Sequence, residues 1–129
     1  TPEITLGLLP GNGGTQRLTR MIGPARALDV LITGRPYSPE EALGLGVVSG
    51  VLEAVEAVDK VQSIAQRFAA GPALAQAAIK RCVYEGGQMS LDDGLALEAR
   101  EMEGLFRSQD ALEGMTAFAE KRQAKFTGA

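Results

Sequence analysis

The sequence predicts a mostly α-helical chain that carries a short β segment, and three observations support this fold class. Apolar residues recur at the three- and four-residue spacing of a helix along most of the chain after about Val55. A glycine-rich breaker, residues 10–14 (PGNGG), separates an apolar head from the first helical pattern. Residues 47–52 (VVSGVL) are the best strand candidate, but a single strand cannot make a sheet. Either the domain is mostly helical, or its sheet partners lie on another polypeptide.

The head and the first two helices are delimited by glycine and proline. Within the head, Ile4, Leu6 and Leu8 alternate with small or polar residues, which is a weak signal of an extended segment. A helical pattern follows the glycine-rich breaker. Residues 23–24 (GP) end this first helix and open the second, which residues 33–34 (TG) close.

Serine residues mark the starts of three later helices. Ser38 is followed by Pro39 at the first helical position and by Glu41 at the third, which predicts a capping box. Ser90 precedes acidic residues in a first helical turn, where negative charge suits the helix dipole. Ser108 precedes the last helix, whose first turn is also acidic. We therefore expect helices to begin directly after these three serines.

Composition narrows the possible functions before any motif is considered. Thirteen Lys and Arg stand against sixteen Asp and Glu, and the net charge of −3 argues against a basic nucleic-acid-binding protein. One Cys and no His exclude a disulfide framework, a Cys/His zinc site and a His general base, and no metal is expected. No apolar run approaches the ~20 residues that cross a bilayer, so a membrane is not expected as a partner. The net charge likewise makes a nucleic acid an unexpected partner. A cytoplasmic location is the expectation.

Glu3 and the glycine-rich loop are the first candidate site residues. Glu3 is a lone acid in an apolar segment, and its burial there would suit proton transfer near neutral pH. A solvated charge at a frayed terminus is the structural alternative, which periodicity alone favours. The loop glycines allow a backbone to approach a ligand closely, and the helix behind them offers unpaired N–H groups. A plain turn explains the loop equally well.

A basic patch close to the end of the chain is the second candidate. Lys121, Arg122 and Lys125 lie beside Phe118 and Phe126. Cations near a helix C-terminus are the structural explanation, because they suit the helix dipole. A site for a phosphate and a ring is the functional one, with Lys as a point charge and Phe as a stacking face. The local pattern alone favours the structural explanation.

Two runs of the sequence, taken together, resemble the enoyl-CoA hydratase/isomerase (crotonase) superfamily. The closing run, residues 110–122 (DALEGMTAFAEKR), looks like the family's last helix. The opening run, residues 2–4 (PEI) and 6–18 (LGLLPGNGGTQRL), is the more specific one. The family pattern continues after it through residues 22–23 (IG), 31–34 (LITG), Ala42 and 46–48 (GVV). The resemblance covers essentially the whole chain in order.

The resemblance implies the C-terminal portion of the crotonase-like (ClpP/crotonase) α/β spiral fold. Residues 1–52 would form the end of the spiral core, with the Pro-Glu acid and the glycine-rich loop. Residues 53–129 would form the helical trimerisation region, so a trimer or a dimer of trimers is implied. Because the chain begins without Met inside an apolar segment, we expect a fragment, or one subunit of a split enzyme that needs an N-terminal half of the same fold.

The resemblance also implies roles for four residues. Glu3 matches one of two catalytic glutamates, which position a water and move protons as it adds across the C2–C3 double bond of a 2-enoyl-CoA thioester. Gly11 matches a glycine whose backbone N–H helps to hold that water. Phe118 and Lys121 match residues that contact the nucleotide end of coenzyme A, where the ring suits adenine and the ammonium suits a phosphate.

Enoyl-CoA hydratase, a lyase of fatty-acid β-oxidation, is the activity that the resemblance implies, with coenzyme A as part of the substrate and no separate cofactor. The family's oxyanion hole and its other catalytic Glu have no counterpart in these residues, so the isolated chain is expected to be nearly inactive. An enoyl-CoA isomerase, or another enzyme that works through a thioester enolate, is the alternative within the family. A helical oligomerisation fragment without catalysis is the alternative of a different class.

The missing half has a structural consequence for the head of the chain. Residues 1–14 are expected to pack poorly within this chain, because their sheet neighbours are absent. Ile4, Leu6 and Leu8 should therefore leave apolar surface for another chain to cover.

Overall fold

The computed structural model describes all 129 residues, and they form helices joined by turns and short extended segments. Two 3-10 helices occupy Pro2–Leu6 and Gly86–Gln88. The α-helices are α1 (Gly14–Ile22), α2 (Pro24–Thr33), α3 (Pro39–Leu45), α4 (Ala57–Ala69), α5 (Ala73–Tyr84), α6 (Leu91–Leu105) and α7 (Gln109–Ala119). The chain divides into two compact units, Thr1–Ala57 and Val58–Ala129, whereas the sequence places its boundary after residue 52.

The short β segment predicted at residues 47–52 is wrong, because the structure contains no strand. Val47 instead completes the C-terminal cap of α3. Its N–H donates to the Ala42 carbonyl (2.9 Å), and Gly46 takes the left-handed conformation at φ 80°. The extended signal in the head is also wrong, since Pro2–Leu6 forms a 3-10 helix. A strand needs a neighbouring strand for its backbone groups, and this chain supplies none.

The predicted helix starts after Ser38, Ser90 and Ser108 are confirmed. The Ser38 hydroxyl accepts the Glu41 N–H (3.1 Å), and the Glu41 carboxylate accepts the Ser38 N–H (2.9 Å), which completes the capping box. The hydroxyls of Ser90 and Ser108 accept the N–H three residues further on, at 3.2 and 3.0 Å. Each cap satisfies a donor that the helix start leaves unpaired.

In the first unit, α1 packs against α2, and the head of the chain packs against α2 as well. Ile22, Ala27 and Pro10 are the buried residues of this unit. The head passes so close to the end of α2 that a Cβ at Gly34 would lie 2.6 Å from Ile4 Cγ2. Gly34 also has φ 61°, so both space and backbone conformation favour glycine there.

In the second unit, α5 and α6 pack as a pair around the short 3-10 helix that joins them. α6 approaches this 3-10 helix closely at glycine, since a Cβ at Gly94 would lie 3.3 Å from the Gly86 carbonyl oxygen. Ala78, Leu97 and Ala117 are the buried apolar residues of this unit.

Most large apolar side chains of the chain are exposed, and only Ile22 and Leu97 among them are buried. In the head, Leu6 and Leu8 are 73% and 61% exposed, which confirms the prediction that these side chains leave apolar surface uncovered within the chain. The apolar face of α4 is exposed along its length. Apolar surface of this extent marks faces that bind other elements.

None of the helices combines the length and the apolar character that crossing a bilayer requires.

Candidate functional site

Glu3 lies on the single 3-10 turn that begins with Pro2. Gly7 ends this turn at φ 69°; its N–H donates to the Ile4 carbonyl (3.0 Å), and the Leu8 N–H donates to the Glu3 carbonyl (3.0 Å). The Glu3 side chain is half-buried, and its Oε2 is shielded from solvent without a hydrogen-bond partner. A shielded carboxylate oxygen without a partner is costly in a folded protein. Glu3 Oε2 is therefore an acceptor that no group of the chain uses.

The glycine-rich loop presents an unpaired N–H group just before α1. Gly11 is exposed, and its N–H donates to no group of the chain, whereas the Gly14 N–H donates to the Pro10 carbonyl (3.1 Å). A Cβ at Gly14 would lie 2.8 Å from Pro10 Cβ, so this position has no room for a larger residue. A Cβ at Gly11 would meet Leu9 only at ordinary contact distance, 3.8 Å. Packing within the chain therefore explains Gly14 and does not explain Gly11.

The end of α7 presents a ring and an ammonium on one turn. Lys121 has φ 54° and is the one non-glycine residue of the chain with a positive φ. The Lys121 N–H donates to the Phe118 carbonyl (3.2 Å), and the Arg122 N–H donates to the Ala117 carbonyl (3.0 Å), which is the Schellman pattern of a helix end. Phe118 is 87% exposed, and no hydrogen bond or ion pair of the chain engages the exposed Lys121 ammonium.

Arg122 differs from Lys121 because two carboxylates of the chain already bind its guanidinium. Its two Nη atoms donate to the Glu113 carboxylate (2.6 and 2.9 Å), and its Nε donates to Glu120 Oε2 (2.6 Å). These hydrogen bonds raise the pKa of Arg122. The hydrogen bonds from the Arg122 guanidinium, and to a smaller extent that from the Lys125 N–H, lower the pKa of Glu113 to about 2. The basic patch is therefore not a set of three available cations.

Residues 121–129, which we call the strap, run back along α7. Asp110, in the first turn of α7, is only 4% exposed, and its carboxylate accepts the N–H groups of Thr127 (2.7 Å) and Gly128 (2.9 Å). The Asp110 N–H in turn donates to the Ala129 carbonyl (3.0 Å). The sequence predicts Asp110 only as a first-turn acid. Its partners lie 17 and 18 residues further on, where local patterns carry no signal.

The structure brings some of the predicted site residues together. Phe118 and Lys121 share one turn in the second unit, joined by a backbone hydrogen bond. Glu3 and Gly11 both belong to the first unit, and no hydrogen bond joins them. No cluster of three or more Cys, Asp or Glu side chains that could hold a metal ion occurs in the structure.

Comparison with known proteins places these features in a family. The family model described as enoyl-CoA hydratase/isomerase matches residues 1–129. The chain belongs to the enoyl-CoA hydratase/isomerase family. Together with the similarity to solved structures below, this confirms the predicted crotonase-like fold class, apart from its short β segment.

Curated relatives and a solved structure show the same assignment. A "Probable enoyl-CoA hydratase" of Bacillus subtilis (strain 168) is 41% identical over 128 residues, which cover 98% of this chain and 50% of the relative. The "Crotonyl-CoA hydratase" of Syntrophomonas wolfei is 41% identical over 125 residues, covering 97% and 48%. The crystal structure of a Bacillus anthracis enoyl-CoA hydratase superposes with a TM-score of 0.93 at 38% identity, covering 99% of this chain and 50% of that one. The chain spans about half the length of the curated relatives it matches.

Proposed function

We propose that the chain contributes to the hydration of 2-enoyl-CoA thioesters and that Glu3 is one of two catalytic acids. The observation that carries this proposal is Glu3 Oε2, which is shielded from solvent and has no partner within the chain. Relatives named as enoyl-CoA and crotonyl-CoA hydratases support the same activity. The proposed activity is that of a lyase in fatty-acid β-oxidation.

In the proposed reaction, the oxygen of a water molecule bonds to C3 of the enoyl group. One acid of the pair accepts a proton from that water, and the other delivers a proton to C2, so that the double bond becomes a single bond. Glu3 Oε2 suits either end of this transfer, because no hydrogen bond of the chain competes for it. The unpaired Gly11 N–H suits a donor to the water.

Phe118 and Lys121 are proposed to contact the nucleotide end of coenzyme A. The exposed Phe118 ring offers a stacking face for adenine. The Lys121 ammonium offers a positive charge for a phosphate, since no carboxylate of the chain neutralises it. Coenzyme A is then part of the substrate, and the proposal involves no separate cofactor.

The exposed apolar faces support an assembly larger than one chain. We propose a trimer or a dimer of trimers, completed by an N-terminal half of the same fold. The exposed Leu6 and Leu8 of the head and the exposed apolar face of α4 are the surfaces that this assembly would cover.

Hydration of crotonyl-CoA tests the proposal, followed as loss of the absorbance of the conjugated thioester. The chain is assayed alone and together with a separately produced N-terminal half taken from a hydratase of this family. We expect activity only in the mixture, because the second acid and the oxyanion hole are expected from that half.

The Glu3→Gln variant tests the role of Glu3 in the same mixture. We expect a loss of about 10²- to 10⁴-fold in kcat, the usual contribution of a general acid or base. Glu40→Gln is the matched control, because Glu40 is an exposed acid of the same unit outside the proposed site. Full activity of the Glu3→Gln mixture would show that the role given to Glu3 is wrong.

The family description also includes isomerases, which favours one alternative to test alongside. A mixture that converts a 3-enoyl-CoA into its 2-enoyl isomer, and that hydrates crotonyl-CoA weakly, would replace hydratase by isomerase. A mixture that assembles without either activity would favour a non-catalytic oligomerisation fragment.

A further inference from the structure

The strap holds a strained residue in place, and two carboxylates of α7 hold the strap. We propose that Asp110 and Glu113 are positioning residues, which keep the Lys121 backbone left-handed and thereby keep its ammonium where coenzyme A binds. This inference rests on the proposed contact between Lys121 and the nucleotide. Neither carboxylate touches substrate in this scheme, since both act through the strap.

Comparison with two other turns of the chain shows why Lys121 needs support. The turns after Pro2–Leu6 and after α3 have the same pair of backbone hydrogen bonds as the end of α7, and glycine occupies their left-handed positions as Gly7 and Gly46. Glycine takes a positive φ without steric cost, whereas the Lys121 Cβ crowds its own backbone at φ 54°. Contacts made after the turn must therefore offset a cost that the other two turns lack.

Glu113 makes the contacts closest to the turn. Its carboxylate binds the Arg122 guanidinium through two hydrogen bonds (2.6 and 2.9 Å), and it also accepts the Lys125 backbone N–H (2.8 Å). Paired hydrogen bonds between Arg and a carboxylate fix direction as well as distance. Arg122 directly follows Lys121, so this pair fixes the chain on the far side of the strained residue.

Asp110 makes the contacts at the other end of the strap. Its buried carboxylate accepts the Thr127 and Gly128 N–H groups, and its own N–H donates to the Ala129 carbonyl (3.0 Å). Phe126 lies on the strap between the residues that Glu113 and Asp110 bind. Its ring packs against α7, where a Cβ at Gly114 would lie 3.5 Å from Phe126 Cε1. Phe126 also lines an apolar cavity of about 340 Å³ within the second unit.

These contacts all require the chain to reverse at Lys121. A chain that continued α7 through residue 121 with a right-handed backbone would carry the strap away from Glu113 and Asp110. Loss of the Glu113 and Asp110 carboxylates removes the hydrogen bonds to the strap that favour this chain reversal. The Lys121 backbone would then populate other conformers. The ammonium would leave its position even though its own side chain is unchanged.

The experiment compares Glu113→Ala with Glu103→Ala in the 129-residue chain, alone and together with the N-terminal half used in the hydration assay. Glu103→Ala is the matched control, because it removes an ion pair between Glu103 on α6 and Arg107 just after that helix, and this pair does not involve the strap. Asp110→Asn is a second variant of the strap. Two NMR readouts are taken: the backbone coupling constant and amide shift of Lys121, and the affinities for 3′,5′-ADP and for adenosine.

We expect Glu113→Ala to abolish the left-handed signature of Lys121 and to weaken 3′,5′-ADP binding, while binding of adenosine changes little. A variant that keeps the binding conformer in one molecule of ten would bind about tenfold more weakly. A role limited to stability would leave the preference for 3′,5′-ADP over adenosine unchanged in the folded chain. Glu103→Ala should match the wild type in both readouts.

Lys121→Ala separates failure of this inference from failure of the proposed function. If 3′,5′-ADP binds wild type and Lys121→Ala equally, or binds neither, the proposed contact of Lys121 is wrong, and the positioning role is wrong with it. If Lys121→Ala weakens binding, but Glu113→Ala and Asp110→Asn keep both the left-handed signature and the wild-type affinity, only the positioning role is overturned. If Asp110→Asn does not fold, Glu113→Ala alone decides, because Glu113 is half-buried and its hydrogen bonds go only to the strap.

Discussion

The backbone of Lys121 takes a left-handed conformation that a residue with a Cβ disfavours. A left-handed residue at a helix end is usually glycine, and the chain uses glycine at its two equivalent turns. A strained backbone conformation persists where the surrounding contacts determine it, and such positions often serve function. The left-handed backbone of Lys121 therefore indicates a functional role, which its place in an exposed basic run does not indicate.

Substitution of Lys121 can separate its backbone strain from its charge. We expect Lys121→Gly to raise the free energy of unfolding by about 1 kcal/mol, because glycine takes φ 54° without a Cβ clash. Lys121→Ala keeps the Cβ and should change stability little. Urea unfolding of the two variants measures the difference, and equal stabilities would contradict the strain argument.

Gly11 and Gly14 lie in the same glycine-rich segment, but the structure requires glycine for packing only at Gly14. Gly14→Ala should lower the free energy of unfolding by about 1–3 kcal/mol, because its Cβ would lie 2.8 Å from Pro10 Cβ. Gly11→Ala should stay within about 0.5 kcal/mol of wild type, because its Cβ meets nothing closer than 3.8 Å.

Thermal unfolding of the Gly11→Ala and Gly14→Ala variants distinguishes them, and hydration of crotonyl-CoA in the two-part mixture adds a functional readout. If the Gly11 N–H holds the water, Gly11→Ala should keep both stability and activity, because alanine keeps the backbone N–H, whereas Gly11→Pro, which lacks that N–H, should lower activity. A Gly11→Ala variant that is as destabilised as Gly14→Ala would show that Gly11 has a packing role instead.

At the scale of elements, the chain forms helices with well-defined ends. Few long-range contacts join one helix to another. Serine caps, glycine C-caps and proline at first helical positions set the ends of α2, α3, α6 and α7. These devices act within a few residues, which is why local patterns predict them. The strap is an element of another kind, because it has no regular secondary structure and is held by side chains of α7.

Attachment of the strap should depend on pH through Glu113. The pKa of Glu113 is about 2 in the folded chain and about 4.3 when unfolded. A lowered pKa contributes stability above the unfolded value, and this stability is lost as the pH falls through the folded value. We therefore expect the strap to stay attached at neutral pH and to loosen between about pH 4 and pH 2.

Hydrogen exchange at the Lys125 amide measures this loosening, after correction for the intrinsic effect of pH on exchange. The Lys125 N–H donates to Glu113, so its protection reports the attachment directly. Glu113→Gln is the control, and its protection should lack this pH dependence. Protection of Lys125 that persists unchanged to pH 2 would contradict the assignment to Glu113.

At the scale of the whole molecule, apolar surface exceeds what the chain can bury. Only two large apolar side chains are buried, while those of the head and of α4 remain exposed. Exposed apolar patches of this kind lead to binding or association. The chain spans about half the length of the enoyl-CoA hydratases it matches, and we propose that the other half of the fold covers these faces.

The chain alone should therefore associate in solution or bind an apolar dye. We expect sedimentation velocity to show mass that rises with concentration, and an environment-sensitive dye to gain fluorescence on adding the chain. Addition of an N-terminal half should decrease dye binding, because it covers the exposed side chains of the head. A monodisperse monomer that binds no dye would contradict this expectation.

The sequence by itself determined the helical character, most helix ends and the family. Caps, glycines and prolines act over a few residues, and the two runs at residues 2–18 and 110–122 are specific enough to indicate the family. It also indicated the four proposed site residues, through the resemblance rather than through local chemistry. The predicted strand at residues 47–52 was wrong, because strand formation depends on a neighbour that this chain does not supply.

Only the tertiary structure decided which charges are available. Lys121 and Arg122 are adjacent cations in the sequence, yet Arg122 is bound by Glu113, nine residues earlier, and Lys121 is not bound. Asp110 finds its partners in the strap, 17 and 18 residues away. Such contacts depend on where the chain reverses, and that reversal is favoured by the sum of the strap's contacts rather than by any local pattern.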